Sequence, residues 1–593
     1  MRPVNKLYLA SKAPRLSVLK FGSSVLHSTA DYARIAHEIY RHVRTGEKVV
    51  AVVSALDGET DNLFALGEDV GHHADGVGIA RLVRCGELKS AALLGLALER
   101  AGVPTAVLDP HEMDLRAEGD PLDANLTGLD RAKVLARFEQ ADVIVAPGFF
   151  GDTEVGPVTL GRGGTDLTAV MFAHWLDADR ARLIKDVDGV YTDDPAKSPD
   201  ALRFDQLDYQ EAREVSRGLV QDKAILAAED LGVVIEVAAL GRSYETRIAK
   251  VERAPAQTRE VQRLRIAVLG HGAVGAGVCD YLEAHPNRFD LNPVLVRDPS
   301  KHGANHAERA FTATPEEALA HQPDIVVELM GGTGFARCLC QSALRDGSDL
   351  VTANKAVIAL DLARLDSLAH EHKRHLRYSA AVGGGTPILE LLDTLTPRET
   401  VRSVEGVMNG TCNYILDALD GGALFADAVA QAQALGFAEA DPSTDLDGDD
   451  AADKLAIIAH HAFGQIPDLR DIPRESLSAL PPERIEAARE ADLVIKQIGR
   501  CSLGPDGKVE ARVELRALPR MHAFASLRNE ANGFLIECSD RTRYLKGKGA
   551  GRWPTAESVF ADIMDIQRAR AGNAPARQDL ADDPMRLKQD LAS

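Results

Sequence analysis

Residues 264–285 read LRIAVLGHGAVGAGVCDYLEAH: an apolar run, then Gly270, Gly272 and Gly275, then an amphipathic helical pattern. A G-x-G-x-x-G spacing alone is a weak signal. Between a strand and a helix it is a strong one: the glycines permit the tight turn, let a pyrophosphate approach the backbone, and pack helix against strand. Ala273 and Val274 open the helix, where main-chain N–H groups and the helix dipole favour an anion. The stretch predicts a parallel α/β sheet that binds a dinucleotide.

Working outward, PVLVRDPSK (293–301) follows about 25 residues after the turn. Arg297 and Lys301 sit where a 2′-phosphate would be met, whereas Asp298 suits a free ribose hydroxyl. NADP is favoured, with NAD as the alternative. Two further strands, PDIVVELMGGTG (323–334) and GSDLVTANKAVIA (347–359), bring Thr352, Asn354 and Lys355 to a strand end. Ligands of open α/β sheets bind there. An isolated lysine is normally a solvated surface group; this position argues for more.

Downstream, GFAEADPSTDLDGDDAADKL (436–455) holds six carboxylates within twelve residues, Glu439, Asp441, Asp445, Asp447, Asp449 and Asp450, with Lys454 at helical i,i+4 spacing from Asp450. One reading is a solvated acidic loop whose ion pair is worth about 0.2–0.5 kcal/mol. A calcium loop is a poor second, because Gly448 falls between Asp447 and Asp449 rather than after alternating acids. The third is a substrate site in which carboxylates hold an ammonium group and a lysine handles a proton.

Upstream, LSVLKFGSSVL (16–26), VVAVVSAL (49–56), VIVAPGFFG (143–151) and VTLGRGGTDLTAVMFAHWL (158–176) alternate strands with helical segments, which implies a second α/β sandwich. Two glycine turns after strands, each with a cation, Lys20 and Arg162, suit phosphates. The polar stretch 241–263 marks a domain boundary.

The chain of 593 residues is long enough for three or four domains. A formal charge of −21 disfavours nucleic acid or an anionic membrane as a general partner. The longest apolar runs, such as Ser90 to Leu98, are far below the roughly 20 residues of a membrane helix, and the N-terminus has no secretory pattern. A cytoplasmic protein is expected, with its seven dispersed cysteines reduced.

Residues 16–240 resemble the amino acid kinase family, aspartate kinase in particular, through KFGSS, SALDGETD (54–61), RCGELKSA (84–91), GRGGTD (161–166), KDVDGVYTDDP (185–195) and VQDKAIL (220–226). The resemblance implies that Lys20, Gly22, Ser23 and Lys223 meet ATP phosphates with Mg2+, that Asp186 lies by the nucleotide, and that Glu87, Arg162 and Asp166 hold aspartate. Such roles fit phosphoryl transfer, which depends on positioning and charge neutralisation. The bland readings are a surface ion pair for Arg162 and Asp166 and a helix-start residue for Glu87. KFGSS is closer to glutamate 5-kinase, Lys185 replaces a common threonine or serine, and the ACT regulatory modules expected after this domain are absent. A non-catalytic binding or assembly module is the alternative to a working kinase.

Residues 264–570 resemble homoserine dehydrogenase through GHGAVG, VVELMGG, VTANKA, SAAVGGGTPIL (379–389), GVMNGTCNYIL (406–416), the acidic stretch and GKGAGRWPTAESV (547–559). The resemblance implies reversible reduction of aspartate 4-semialdehyde to homoserine, with Lys454 as principal acid/base, Lys355 assisting, and Asp450, Glu439, Asp445 and Thr411 around the substrate. It also implies that Gly549 and Thr555 close over the nicotinamide, and that Na+ or K+ binds near Val382, Gly384 and Thr386, although Ser379 stands where many members have glutamate. A homodimer or higher homo-oligomer is expected. The expected architecture is an N-terminal tail (1–15), an amino acid kinase-like α/β sandwich (16–245), a linker (246–262), a Rossmann NAD(P) domain (263–400), an α+β catalytic and dimerisation domain (401–545), a segment returning to the nucleotide domain (546–575) and a C-terminal tail (576–593).

Overall fold

The structure is a computed structural model that describes residues 15–70, 76–161, 163–194, 201–241, 245–250, 263–286, 288–302, 309–396, 399–435, 437–539 and 541–570. Arg162, most of the expected linker, the expected N-terminal tail up to residue 14 and the whole expected C-terminal tail lie outside the described residues.

In the N-terminal domain the described residues form an eight-stranded sheet. Its centre is Leu16–Phe21 flanked by Lys48–Val53 and Arg180–Lys185, all parallel. The uninterrupted apolar sequence of Lys48–Val53 is explained by burial on both faces, from Val49 through Val53. Among the described residues the one antiparallel pairing of this sheet is between Glu245–Ile248 and Ile235–Ala239. Helices Asp31–Val43 and Gly76–Ala101 pack together, while helix Gly164–Leu176 lies against the central strands.

The second domain is a parallel sheet in the order Phe311–Thr312, Val294–Leu295, Leu264–Leu269, Ile325–Glu328, Asp349–Thr352, Leu376–Arg377, with Phe289–Leu291 also paired to Leu264–Leu269. The third is a five-stranded antiparallel sheet, ordered Val509–Pro519, Leu493–Leu503, Val401–Val407, Ala531–Cys538, Thr542–Lys548. Helix Asp449–Phe463 packs on it and against helix Lys355–Glu371 of the nucleotide domain, which brings the acidic stretch to the carboxyl edge of the parallel sheet. The last helix, Arg552–Arg570, returns to pack along helix Ala273–Glu283. It also contacts the N-terminal domain's helices Asp31–Val43 and Gly76–Ala101.

Residues 249–263 are all that separate the last strand of the first domain from the first strand of the second, too short a length for a further folded module. Among the described residues no helix is long and apolar enough to cross a membrane.

Candidate active sites

The dinucleotide turn has the geometry that its sequence requires. Gly270 has φ +106°, and a Cβ there would lie 2.6 Å from the carbonyl oxygen of Leu329. A Cβ on Gly275 would collide with the carbonyl of Gly270, so the helix can sit this close only without one. Gly272, which caps the helix beginning at Ala273, faces open space. Arg297 and Lys301 are exposed; Lys301 is 3.6 Å from Asp298, which is itself turned onto the N–H and hydroxyl of Ser300. Thr352 is fully buried instead of facing the turn. Its hydroxyl donates to Glu328 (2.7 Å) and accepts the N–H of Asn354 (3.0 Å), and the Asn354 side chain donates to the carbonyl of Gly332. Thr352 and Glu328 thus brace the strand ends from beneath.

Both lysines picked out in the sequence converge on one carboxylate. Lys355 Nζ lies 2.8 Å from Asp450 Oδ1, and Lys454 Nζ lies 2.8 Å from Asp450 Oδ2. Lys454 also donates to the carbonyl of Met408 at 2.7 Å. Burial alone would raise the pKa of Asp450; Lys454 and Lys355 reverse that and hold it well below the carboxylate range. Burial alone would lower that of Lys355, but Asp450 outweighs it, and the net direction is up. An ammonium held charged at a sheet edge, next to a nucleotide turn, can stabilise negative charge growing on a substrate oxygen.

Asn409 is the residue that sequence reading passed over. It caps helix Gly410–Asp420, accepting the N–H of Cys412, and its amide donates to Asp445 (2.7 Å) and to Asp450 (2.8 Å). Its available signal was the Asn-Gly-Thr at a helix start. The Thr411 hydroxyl lies 2.9 Å from Asp445 and 2.7 Å from the carbonyl of Phe437, and its single hydrogen serves one of the two at a time. Asp445 therefore orients Asn409 and Thr411. Glu439 is exposed, and among the described residues its main-chain carbonyl, not its carboxylate, is used, by Gln433. Asp447 accepts from Ser476 and Asp449 pairs with Arg474, both at the surface. The acidic stretch is split by its helix: Asp450 points inward, its neighbours outward.

The N-terminal domain repeats the motif of two lysines on one aspartate. Asp166, buried on helix Gly164–Leu176, lies 2.7 Å from Lys20 Nζ and 2.9 Å from Lys185 Nζ, two lysines at the ends of parallel strands. Burial raises its pKa, but Lys20 and Lys185 bring it down to about 2. Asp166, expected with Glu87 and Arg162 to hold aspartate, has both of its oxygens engaged by the ammonium groups of Lys20 and Lys185. Ser23 and Asp186 are exposed near these strand ends, and Gly22 has the Lys20 ammonium folded directly over it. Lys223 reaches instead to Asp123, 2.6 Å away at the surface.

Glu87 is 1% exposed on helix Gly76–Ala101, and its Oε2 has no partner among the described residues. Burial pushes its pKa up to about 8. The folded protein thus keeps a proton that the unfolded chain releases near the ordinary value of 4.5, and stability falls as pH rises from there through about 8. Glu87→Gln is expected to flatten that fall: the wild-type melting temperature should drop relative to the variant's between pH 5 and 9. Parallel melting curves across that range would overturn the assignment.

The turn of Val382, Gly384 and Thr386, where a monovalent cation is expected, offers main-chain carbonyls, of which that of Thr386 is already engaged. The carbonyl of Thr386 accepts the N–H of Ile388, and the hydroxyl of Ser379 is engaged by Asp562 and Arg44. The positive charge in this corner is the Arg44 guanidinium. Among the described residues no group of three or more His, Cys, Asp or Glu is arranged to hold a metal ion.

Comparison with known proteins places these geometries. The amino acid kinase family model matches residues 15–238, the model of the homoserine dehydrogenase NAD binding domain residues 270–379, and the homoserine dehydrogenase model residues 387–564. The homoserine dehydrogenase of Corynebacterium glutamicum is 35% identical over 340 residues, which cover 54% of this chain and 76% of that one. An NAD(+)-dependent homoserine dehydrogenase of Pseudomonas canavaninivorans is 31% identical, covering 51% and 96%. The crystal structure of a homoserine dehydrogenase from Thiobacillus denitrificans superposes with a TM-score of 0.50 at 31% identity, covering 52% of this chain and 74% of that one. The chain belongs to the homoserine dehydrogenase family and carries an amino acid kinase family domain ahead of its dehydrogenase domains.

Proposed function

We propose that the chain interconverts L-homoserine and L-aspartate 4-semialdehyde with NADP, and that its N-terminal domain phosphorylates L-aspartate with ATP and Mg2+, as a cytoplasmic homodimer making threonine and methionine precursors. The convergence of Lys355 and Lys454 on Asp450, at the carboxyl edge of the sheet that carries the glycine turn, supports the first activity most directly. The bound dinucleotide supplies or accepts the hydride. Lys454 gives a proton to the substrate's carbonyl oxygen in reduction and takes it from the hydroxyl in oxidation, and Lys355 stabilises the oxygen's negative charge. Asp450 keeps both ammonium groups aimed, and Asn409 keeps Asp450 aimed. Gly270, Gly272 and Gly275 with the N–H groups of Ala273 and Val274 accommodate the pyrophosphate, Arg297 and Lys301 the 2′-phosphate, and Gly549 and Thr555 the nicotinamide side.

In the kinase-like domain Lys20 and Lys185, backed by Asp166, supply charge for transferred phosphate. A Glu87 that stays protonated at neutral pH can donate a hydrogen bond to a substrate carboxylate. Purified full-length protein is expected to form NADPH from homoserine with at least about tenfold higher kcat/KM than NADH, and to form ADP only when aspartate is added. Preference for NAD would move the ribose contact from Arg297 to Asp298. Absence of aspartate-dependent ADP from protein with full dehydrogenase activity would leave the N-terminal domain as a binding module.

A further inference from the structure

Arg44 belongs to the kinase-like domain, at the C-terminal cap of helix Asp31–Val43, yet its guanidinium is bound by the dehydrogenase. Its Nη2 lies within hydrogen-bond distance of Ser379 Oγ (3.1 Å), Glu390 Oε1 (2.8 Å) and Asp562 Oδ1 (2.7 Å), its two hydrogens shared among the three, and Asp565 lies 3.6 Å away. The residue is 2% exposed. Asp562 completes the knot by accepting both the N–H (3.0 Å) and the hydroxyl (2.8 Å) of Ser379. Burial alone would lower the pKa of Arg44, but Asp565, Glu390 and Asp562 raise it well above its ordinary value, so the cation is permanent.

The three partners have a common consequence. Ser379 opens the short helical turn Ser379–Ala381, and Glu390 lies in the first turn of helix Ile388–Leu395. One guanidinium therefore pins both ends of the buried glycine turn between them, and Asp562 fixes the last helix to the same point. The pinned turn in turn contacts the loop ahead of that helix. The Gly385 N–H donates to the carbonyl of Lys548 (3.0 Å), and a Cβ on Gly384 would lie 2.5 Å from the carbonyl oxygen of Gly549. The kinase-like domain presses on this loop from a second helix as well. Gly102, with φ +84°, faces Lys548 and Pro554, and the Arg100 guanidinium lies 3.8 Å from the centroid of the Trp553 ring.

We propose that Arg44 is a positioning residue for the dehydrogenase reaction, supplied by the kinase-like domain, which sets the Gly383–Thr386 turn and through it the Lys548–Gly551 loop against the dinucleotide. This rests on the assignment of Gly549 to the nicotinamide side. The loop carries none of the lysine cluster, which Asn409 and Met408 hold from another element. Arg44 therefore acts on the dinucleotide and not on homoserine.

The test uses full-length Arg44→Lys, Arg44→Met and Gly549→Ala, each assayed for both Michaelis constants and for melting temperature. Lysine keeps the charge but puts it on a shorter side chain as a compact ammonium, which does not occupy the guanidinium's place among Ser379, Glu390 and Asp562. Arg44→Lys is expected to raise the dinucleotide KM about 3- to 10-fold, and Arg44→Met about 10-fold or more, with the homoserine KM within about twofold; misplacement remote from the chemistry commonly costs up to about 100-fold. If Arg44→Met fails to fold, Arg44→Lys carries the test. A lowered melting temperature with both Michaelis constants unmoved in Arg44→Lys would make Arg44 merely structural and overturn the proposal. If Gly549→Ala raises the dinucleotide KM and Arg44→Lys does not, the proposal fails and the loop assignment stands. If neither moves it, both fail.

Discussion

Lys454→Ala is expected to lower the kcat of homoserine oxidation at least about 100-fold, the lower range of what a positioned proton-transfer group contributes. The geometry explains why the loss should fall on kcat. An ammonium has three N–H donors; two of those of Lys454 are spent on Met408 and Asp450, which leaves one directed by the other two. Alanine removes that donor and leaves Lys355, whose Nζ is bound to the opposite oxygen of Asp450 and is raised in pKa, as a cation but a reluctant proton donor. Steady-state NADPH formation with varied homoserine measures the effect, and a kcat within threefold of wild type would remove Lys454 from the role.

Asp450→Asn should be the most damaging change of similar size. The aspartate is buried and faces two ammonium groups; an amide offers one oxygen and presents its NH2 to the other lysine. Breaking a buried pair by removing one partner costs about 3–5 kcal/mol, because the remaining charge is left uncompensated. The sign with pH follows from the direction of the shift. The Asp450 pKa is held well below its ordinary value, so the stability it contributes is present above the ordinary carboxyl range and is lost as pH falls through the lowered value. The gap in apparent melting temperature between wild type and Asp450→Asn should therefore be widest near neutral pH and narrow in acid. The pKa of Lys355 should fall as well, since Asp450 is what raises it. An equal gap at every pH would argue against the paired carboxylate.

Much of this was legible because it is local. The glycine turn needs only neighbours within a few residues: strand before, helix after, and no Cβ where Gly275 meets Gly270. The pairing of Asp450 with Lys454 is likewise one helical turn, and i,i+4 side chains share a face whatever the fold. The helix also explains why Asp447 and Asp449, so close in sequence, end at the surface against Ser476 and Arg474.

What the chain alone leaves unread is set by which elements pack together. Asp166 follows a glycine turn, and only the parallel sheet shows Lys20 and Lys185 side by side with both directed at it. Thr352 looks like a cofactor ligand at a strand end, until its strand pairs with the one carrying Glu328 and its hydroxyl is taken. Ser379 reads as a missing ligand; in the folded chain it is the seat of Arg44, which comes from 335 residues earlier.

By itself, the sequence determined the dinucleotide turn and the shared face of Asp450 and Lys454, which follow from turn chemistry and short-range periodicity, while the order of the domains and the choice of Lys355, Asp450 and Lys454 as site residues followed from its resemblance to known families. Only the tertiary structure decided that the two lysines share one carboxylate, that Asn409 aims it, and that the kinase-like domain places a buried cation in the dehydrogenase. A charge's partner depends on which distant elements burial brings within about 3 Å of it, a distance that no sequence spacing encodes.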